Sequence, residues 1–108
     1  MAVSASFLGA LRDVLAFVPD LRIKKMFGGA GVYDGDLIFA LAVNEALYLK
    51  ADEQTERQFD DLGLAAFEVR GRATRYRRAP EEVWEDPDVA REWVALALAA
   101  ARRAAASN

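Results

Sequence analysis

The spacing of apolar residues changes several times along this chain, and each change marks a new element. Near the start, an apolar residue recurs every three or four positions, which is typical of an amphipathic helix. Pro19-Asp20 ends this pattern. The residues that set the spacing are Phe7, Leu11, Val14 and Val18. We therefore expect an N-terminal helix with one apolar side.

Three short apolar runs follow, and all three are typical of strands. They cover Met26 to Tyr33, Leu37 to Val43 and Leu47 to Lys50. Asp34-Gly35 and Asn44-Glu45 separate them, and such pairs favour tight hairpin turns. The runs therefore predict an antiparallel meander. Its middle strand is apolar at odd and even positions alike, so both of its faces should be covered.

A middle helix and a second hairpin are predicted next. Asp52 is a favoured N-cap residue for the segment that follows it, and Gly63 is a typical helix end. Two strand-like segments, Phe67 to Arg70 and Ala73 to Arg78, flank Gly71.

The last element is a long C-terminal helix. Pro80 begins a short helical turn, and Asp86-Pro87 then combines a capping residue with a proline at the first helical position. The helix should extend to about Arg103. The pattern as a whole predicts an α+β fold with an antiparallel sheet of hairpins, an N-terminal helix, a middle helix and this long C-terminal helix. One domain spans 1–108, with its core at about 5–103.

Composition narrows the chemistry. A chain of 108 residues that is 54% hydrophobic is long enough for one packed core. It has no cysteine and no histidine, which excludes disulfides, thiolate or imidazole metal ligands, and Ser-His or Cys-His nucleophilic pairs. The net charge of −3 argues against a general polyanion binder. No apolar stretch is long enough to cross a bilayer, so we expect a cytoplasmic protein with no membrane partner.

Three blocks of sequence carry a family resemblance: KKMFGGAGVY, FALAVNEALYLKADE and YRRAPEEVWEDPDVAREWVALALAAAR. They resemble the N-terminal domain of the TfoX/Sxy family, which is linked to regulation of natural competence in bacteria. The resemblance covers about residues 7 to 102. Because the family's competence regulators continue into a second, helical domain, it implies a stand-alone N-terminal domain. The matching motif positions, interpreted as structural, are Met26, Phe27, Gly28, Gly29, Gly31, Lys50, Asp52 and Pro80.

The resemblance also bears on function. It carries over no catalytic, cofactor-binding or metal-binding residue. It implies a non-catalytic regulatory or protein-interaction domain with an unknown protein partner, connected to competence or to transcription regulation.

The glycine cluster at the start of the first block invites comparison with phosphate-binding loops. Counting from Gly29, a dinucleotide fingerprint fails because Asp34 stands in place of the third glycine, and no Walker A spacing is present. A hairpin follows the glycines, whereas a phosphate site needs a helix N-terminus. We therefore interpret Gly28, Gly29 and Gly31 as permitting a bulge or a close approach of backbone.

A dense basic segment supports an alternative function, a nucleic-acid-binding accessory protein. Basic residues interleaved with an aromatic ring can follow a nucleic-acid strand. In a strand, however, Arg75 and Arg77 share one face while Tyr76 and Arg78 share the other, which divides the charge. An edge strand kept soluble by charge and paired with acids such as Glu81, Glu82 and Glu85 also explains the segment, and we favour this interpretation. The candidate residues are Arg70, Arg72, Arg75, Tyr76, Arg77 and Arg78.

Two further hypotheses concern ligands and self-association. A small-molecule-binding or enzymatic domain is a third function class, although the acidic clusters fit turns and helix N-termini better than a cleft. A homodimer is predicted from the last helix. There, Trp93 belongs to a stripe that seats the helix on the core, and Val94, Leu98 and Ala101 form a second stripe that needs cover.

Overall fold

The structure is a computed structural model and describes residues 3–26 and 28–107. Helices and strands follow one another as an α+β domain, which confirms the predicted fold class. In chain order the elements are α1 (Ala5–Val14), β1 (Leu21–Met26), β2 (Gly29–Asp34), β3 (Leu37–Val43), β4 (Ala46–Lys50), α2 (Glu56–Asp61), β5 (Ala66–Val69), β6 (Arg72–Arg78), a short 3-10 helix (Glu81–Trp84) and α3 (Pro87–Ala106).

The six strands form one antiparallel sheet in the order β1-β2-β3-β4-β6-β5. Hairpins join the first four strands, and β6 then pairs with β4, which places β5 at the far edge. The predicted turns occur where the sequence indicates them. Asn44 and Glu45 both have positive φ angles, as do Arg70 and Gly71 in the second hairpin. Two successive positive φ angles match the twist of the flanking strands.

The first predicted strand is wrong in its bounds. Residues 26–33 do not form one strand, because Met26 ends β1 and Gly29 begins β2. Gly28 adopts a φ of 73° in the turn between them, a conformation that favours glycine. Strand β1 was not predicted, although Leu21 and Ile23 alternate with charged residues along it. Phe27, a predicted motif residue, lies outside the described residues.

The start of the middle helix also differs from the prediction. Helix α2 begins at Glu56, with Thr55 and not Asp52 as its N-cap. The Asp52 carboxylate instead accepts a hydrogen bond from the Gln54 amide at 3.0 Å and receives two from Arg103. Gly63, with a φ of 66°, ends the helix as predicted.

All three helices contribute to a single core on one side of the sheet. Buried side chains from α1 and α2, such as Leu11 and Phe59, join Val32 and Leu49 of the sheet in one apolar cluster. Asp86 caps α3 as predicted, because its carboxylate accepts the Asp88 amide at 3.0 Å. None of the helices in the described residues is long and apolar enough to cross a membrane.

The first stripe of α3 seats the helix on the core as predicted, since Ala100 is buried and Trp93 packs against the core, but the prediction that the second stripe needs cover is wrong. Val94 and Ala101, assigned to a second stripe in need of cover, are buried in the core of the single chain, while Trp93 is only partly buried. The reason is steric, since alanines at 90, 97 and 100 let the helix lie close to the sheet. Trp93 packs at the flank, edge-on to Phe59 with ring centroids 5.0 Å apart. One wide apolar face therefore accounts for the helix.

Candidate interaction face of the sheet

The strand register sorts the side chains of the sheet onto two faces. Directly paired residues share a face, as do residues two apart in one strand. One face carries Ala30, Val32 and Leu49 into the core beneath the helices. A bulge in β3, where Phe39 is the extra residue opposite β2, keeps this pattern in phase along both strands.

The opposite face, which we call the open face, is apolar and aromatic but only partly buried. In the described part of the chain, none of its large side chains joins the core cluster beneath the helices. Tyr48 and Phe67 pack against each other with ring centroids 5.2 Å apart. The half-buried residues of the open face are Tyr33, Ile38, Leu41, Val43, Tyr48, Phe67 and Tyr76.

The open face contains an apolar groove of about 420 Å³. Its walls come from both edges of the sheet, with Met26 of β1 on one side and Phe67 and Val69 of β5 on the other. The sheet is therefore curled, so that its two edge strands, with four strands between them, line one cavity. Met26 is 38% exposed and Val69 49%, which makes them two of the most exposed large apolar residues described. The other lining residues are Gly29, Ala30, Leu41, Val43 and Glu68.

The glycines beside the groove have little room for a side chain. A Cβ on Gly29 would lie 2.6 Å from the backbone oxygen of Ala42 in β3. A Cβ on Gly31 would lie 2.8 Å from the methyl carbon of Met26 and 2.9 Å from the Tyr33 ring. Gly29 thus lets two strands pair closely, and Gly31 leaves space for the side chains of the open face.

Positively charged side chains surround this apolar surface. One row runs across five strands through the pairs Lys24 with Gly31, Gly31 with Leu41, Leu41 with Tyr48, and Tyr48 with Arg78. The neighbouring positions add three more cations. The cations that the register assigns to the open face are Arg22, Lys24, Lys50, Arg72 and Arg78.

Two of these cations lie on aromatic rings. The ammonium groups of Lys24 and Lys50 each lie 4.9 Å from the ring centroid of a tyrosine, Tyr33 and Tyr76 respectively. Burial raises the pKa of the Tyr76 phenol above its usual range, and the neighbouring Tyr33 adds to the rise. Like an ordinary tyrosine, Tyr76 is a neutral phenol at pH 7 and can donate a hydrogen bond.

The basic segment at residues 70–78 is divided between the two faces. On the helix side, Arg75 donates to Glu56 at 2.8 Å and Arg77 to Asp60 at 2.7 Å. The Arg77 side chain is only 11% exposed and also donates twice to the Leu64 carbonyl. Arg75 and Arg77 are thus engaged by acids of α2, while Tyr76 and Arg78 belong to the open face.

The relationship to known families rests on nearly the whole fold. The family model described as the TfoX N-terminal domain matches residues 13–101. The chain belongs to the TfoX N-terminal domain family. The matched region contains all six strands, and so both walls of the groove of this TfoX N-terminal domain. No curated protein matches the chain.

The remaining motif residues of this TfoX N-terminal domain, Asp52 and Pro80, lie where one element connects to the next. Arg103 near the end of α3 donates to the two carboxylate oxygens of Asp52 at 2.6 and 3.1 Å. The hydrogen bonds from Arg103 hold the pKa of Asp52 below its usual range, against the opposing effect of burial. Pro80 is buried and precedes the 3-10 helix. A polar cleft beside Asp52 contains this same ion pair.

Most residues of the open face were not predicted from the sequence. Lys24 and Tyr33 belong to a hairpin whose first strand was not recognised, and Phe67 and Val69 meet Met26 only because the sheet is curled. Alternation along correctly placed strands would have grouped the cations. Within residues 3–26 and 28–107, no cluster of three or more acidic residues could hold a metal ion.

Proposed function

We propose that this TfoX N-terminal domain is a non-catalytic regulatory module that binds another protein through the open face. The observation that carries this proposal is the asymmetry of the sheet. One face is packed under helices, while the other presents aromatic and aliphatic side chains, with Met26 and Val69 exposed beside a groove. Large apolar surfaces rimmed by polar groups mark interaction sites.

The chemistry of the open face supports binding more than catalysis. Its lysines lie against tyrosine rings, and the Tyr76 phenol, whose pKa is raised by burial, is protonated at neutral pH as an ordinary tyrosine is. A protonated phenol donates a hydrogen bond but is a poor general base near pH 7. Tyrosine and arginine are also the residues that contribute most to protein interfaces.

A link to competence or to transcription would, on this proposal, act through the bound protein. Direct nucleic-acid binding by residues 70–78 is less well supported, because Arg75 and Arg77 already pair with Glu56 and Asp60. The regulatory effect is then expected to depend on the open face and not on the helix side of the domain.

Site-specific photocrosslinking in the native host tests the proposal. A benzophenone side chain at Val69 should crosslink to another protein. The same side chain at Leu62 should not, although Leu62 is also a large exposed apolar residue, at 58%. It lies just after α2, on the helix side. Crosslinks from neither position, or equal crosslinks from both, would contradict binding through the open face.

The regulatory part has its own readout. In the host, Val69→Asp should change transcript levels as a deletion of the gene does, and should change transformation frequency where the host is naturally transformable. Leu62→Asp should behave like the unmodified protein. A Val69→Asp strain with an unchanged transcript profile would argue against a regulatory role for this face.

A further inference from the structure

The charge of the open face differs in sign from that of the rest of the protein. The register assigns five of the 14 lysines and arginines to this face. Glu68 lines the groove, so the nine other cations face 16 aspartates and glutamates, which leaves a charge of −7 elsewhere. Glu68, beside the irregular pairing where β6 has two extra residues opposite β5, is the one carboxylate lining the groove among the described residues.

Part of this positive charge is available to a ligand. Arg22 pairs with Asp20 and Asp36, and Arg78 lies 3.7 Å from Glu81. Within the described residues, Lys24, Lys50 and Arg72 have no carboxylate within salt-bridge distance. Lys24 lies two residues from Met26, and Arg72 is paired directly with Val69. Each wall of the groove therefore has a cation beside it that carries no intramolecular ion pair.

The groove itself selects an apolar group. Met26, Leu41, Val43, Phe67 and Val69 line it, and a volume of about 420 Å³ holds one or two large side chains. A ligand that fills the groove and meets the flanking cations must combine an apolar anchor with nearby negative charge.

Single-stranded nucleic acid fits this surface less well. Base stacking needs aromatic rings with an open face. Lys24 lies on Tyr33, Lys50 lies on Tyr76, and the third tyrosine packs against Phe67. The charge of −7 on the rest of the domain also repels an extended polyanion.

A second copy bound face to face is also disfavoured, because it would oppose the cations of the two copies, including Lys24, Lys50 and Arg72, which form no salt bridge with the described residues. We infer that the open face recognises an acidic segment of a partner protein, with an apolar side chain in the groove and carboxylates on Lys24 and Arg72. This inference rests on the proposed function and adds the chemistry of the partner.

Peptide titration followed by NMR tests the inference on the intact domain. The probes are synthetic 11-residue peptides of alternating glutamate and serine with a central leucine, methionine or phenylalanine. The comparison probes are the same peptides with glutamine for glutamate, and a ten-nucleotide oligo-dT. The glutamate peptides should bind with dissociation constants below about 1 mM and shift the amide resonances of residues lining the groove. The glutamine peptides should bind at least about fivefold more weakly.

The chain offers a matched pair of variants. Lys24 and Lys25 are neighbours in β1 and both are exposed, but the register assigns Lys24 to the open face and Lys25 to the opposite one. Lys24→Glu and Lys25→Glu change the net charge equally. We expect Lys24→Glu to reduce the affinity for the glutamate peptides by a factor at least about fivefold greater than Lys25→Glu does.

Three results would overturn the inference. These are no binding by any glutamate peptide, equal losses in the two lysine variants, and tighter binding of oligo-dT than of the peptides at the same amides. If Val69 crosslinks to a protein in the host but no glutamate peptide binds, the acidic partner is excluded. Protein binding through the open face is then still supported.

Discussion

Replacing Gly29 with alanine tests whether the glycine cluster serves the fold. The added Cβ would lie 2.6 Å from the Ala42 carbonyl oxygen and 3.0 Å from a Val43 methyl carbon. The oxygen belongs to the backbone of β3, so it cannot move away without displacing the central strands. Overpacking of this kind costs about 1–3 kcal/mol. We expect Gly29→Ala to fall in the upper half of that range.

Two other glycines calibrate the result. Gly9 lies within α1, is exposed and has no atom within 4 Å of an added Cβ, so Gly9→Ala should stabilise the domain by about 0.5–1 kcal/mol. Gly31→Ala would contact the flexible ends of Met26 and Ile38 and the ring of Tyr33, which can give way more easily than backbone. The change in free energy of unfolding for Gly31→Ala should lie between those for Gly29→Ala and Gly9→Ala.

Thermal unfolding followed by circular dichroism gives the measurement. About 1 kcal/mol corresponds to roughly 4 °C or more for a domain of this size. Gly29→Ala should therefore melt about 8 °C or more below the unmodified protein, and Gly9→Ala a few degrees above it. A Gly29→Ala protein that melts as high as the unmodified one would refute the steric argument. A rise in the melting temperature of the unmodified protein with ATP would point instead to a nucleotide site.

The remaining ionic contacts give further predictions. Arg77→Ala should lower the free energy of unfolding by about 1.5–3 kcal/mol, because the side chain is nearly buried and its partners lose charged hydrogen bonds. Arg75 is exposed, so Arg75→Ala should change the free energy of unfolding by less than about 1 kcal/mol. Equal losses in Arg75→Ala and Arg77→Ala would contradict the assignment of the larger effect to the nearly buried arginine. Fluorescence anisotropy should show no DNA binding tighter than about 10⁻⁴ to 10⁻⁶ M at physiological salt. Because the folded-state pKa of Asp52 is lowered, its ion pair with Arg103 stabilises the fold above the unfolded pKa of about 3.9 and is lost as pH falls through the folded value. Urea unfolding should therefore show a lower free energy of unfolding for Arg103→Gln than for the unmodified protein at pH 7, and this difference should shrink below about pH 4. If the difference in free energy of unfolding does not change with pH, it comes from lost packing of the Arg103 side chain and not from the ion pair.

Local signals in the sequence were sufficient for the boundaries that depend on a few residues. The cap at Asp86, the helix end at Gly63 and the turn at Asn44-Glu45 all occur where predicted. Each is fixed by backbone geometry or by a side chain within three or four positions. Such features depend little on the rest of the fold.

Features that depend on distant contacts were not predictable in this way. Asp52 has the sequence of an N-cap, but the stronger partner is Arg103, 51 positions away. The face that α3 presents to the core is set by its alanines, which permit a close approach that large apolar residues prevent. The groove requires Met26 and Val69 to meet across a curled sheet. These outcomes are set by competition among tertiary contacts, which a local pattern does not encode.

The predicted self-association should depend on salt. The charge of the open face determines whether added salt strengthens or weakens a dimer formed through it. With Val94 and Ala101 buried in one chain, the predicted homodimer needs another surface, and the open face is the candidate that the described residues suggest. Such a dimer would oppose like charges, so screening by salt should strengthen it, whereas salt should weaken an acidic partner. Light scattering after size exclusion should therefore show a monomer of about 11.9 kDa at about 0.05 M salt, with any dimer appearing only near 0.5 M. Val69→Glu should abolish that dimer, and Leu62→Glu should leave it unchanged. A dimer that forms at low salt and survives Val69→Glu would exclude the open face as its interface.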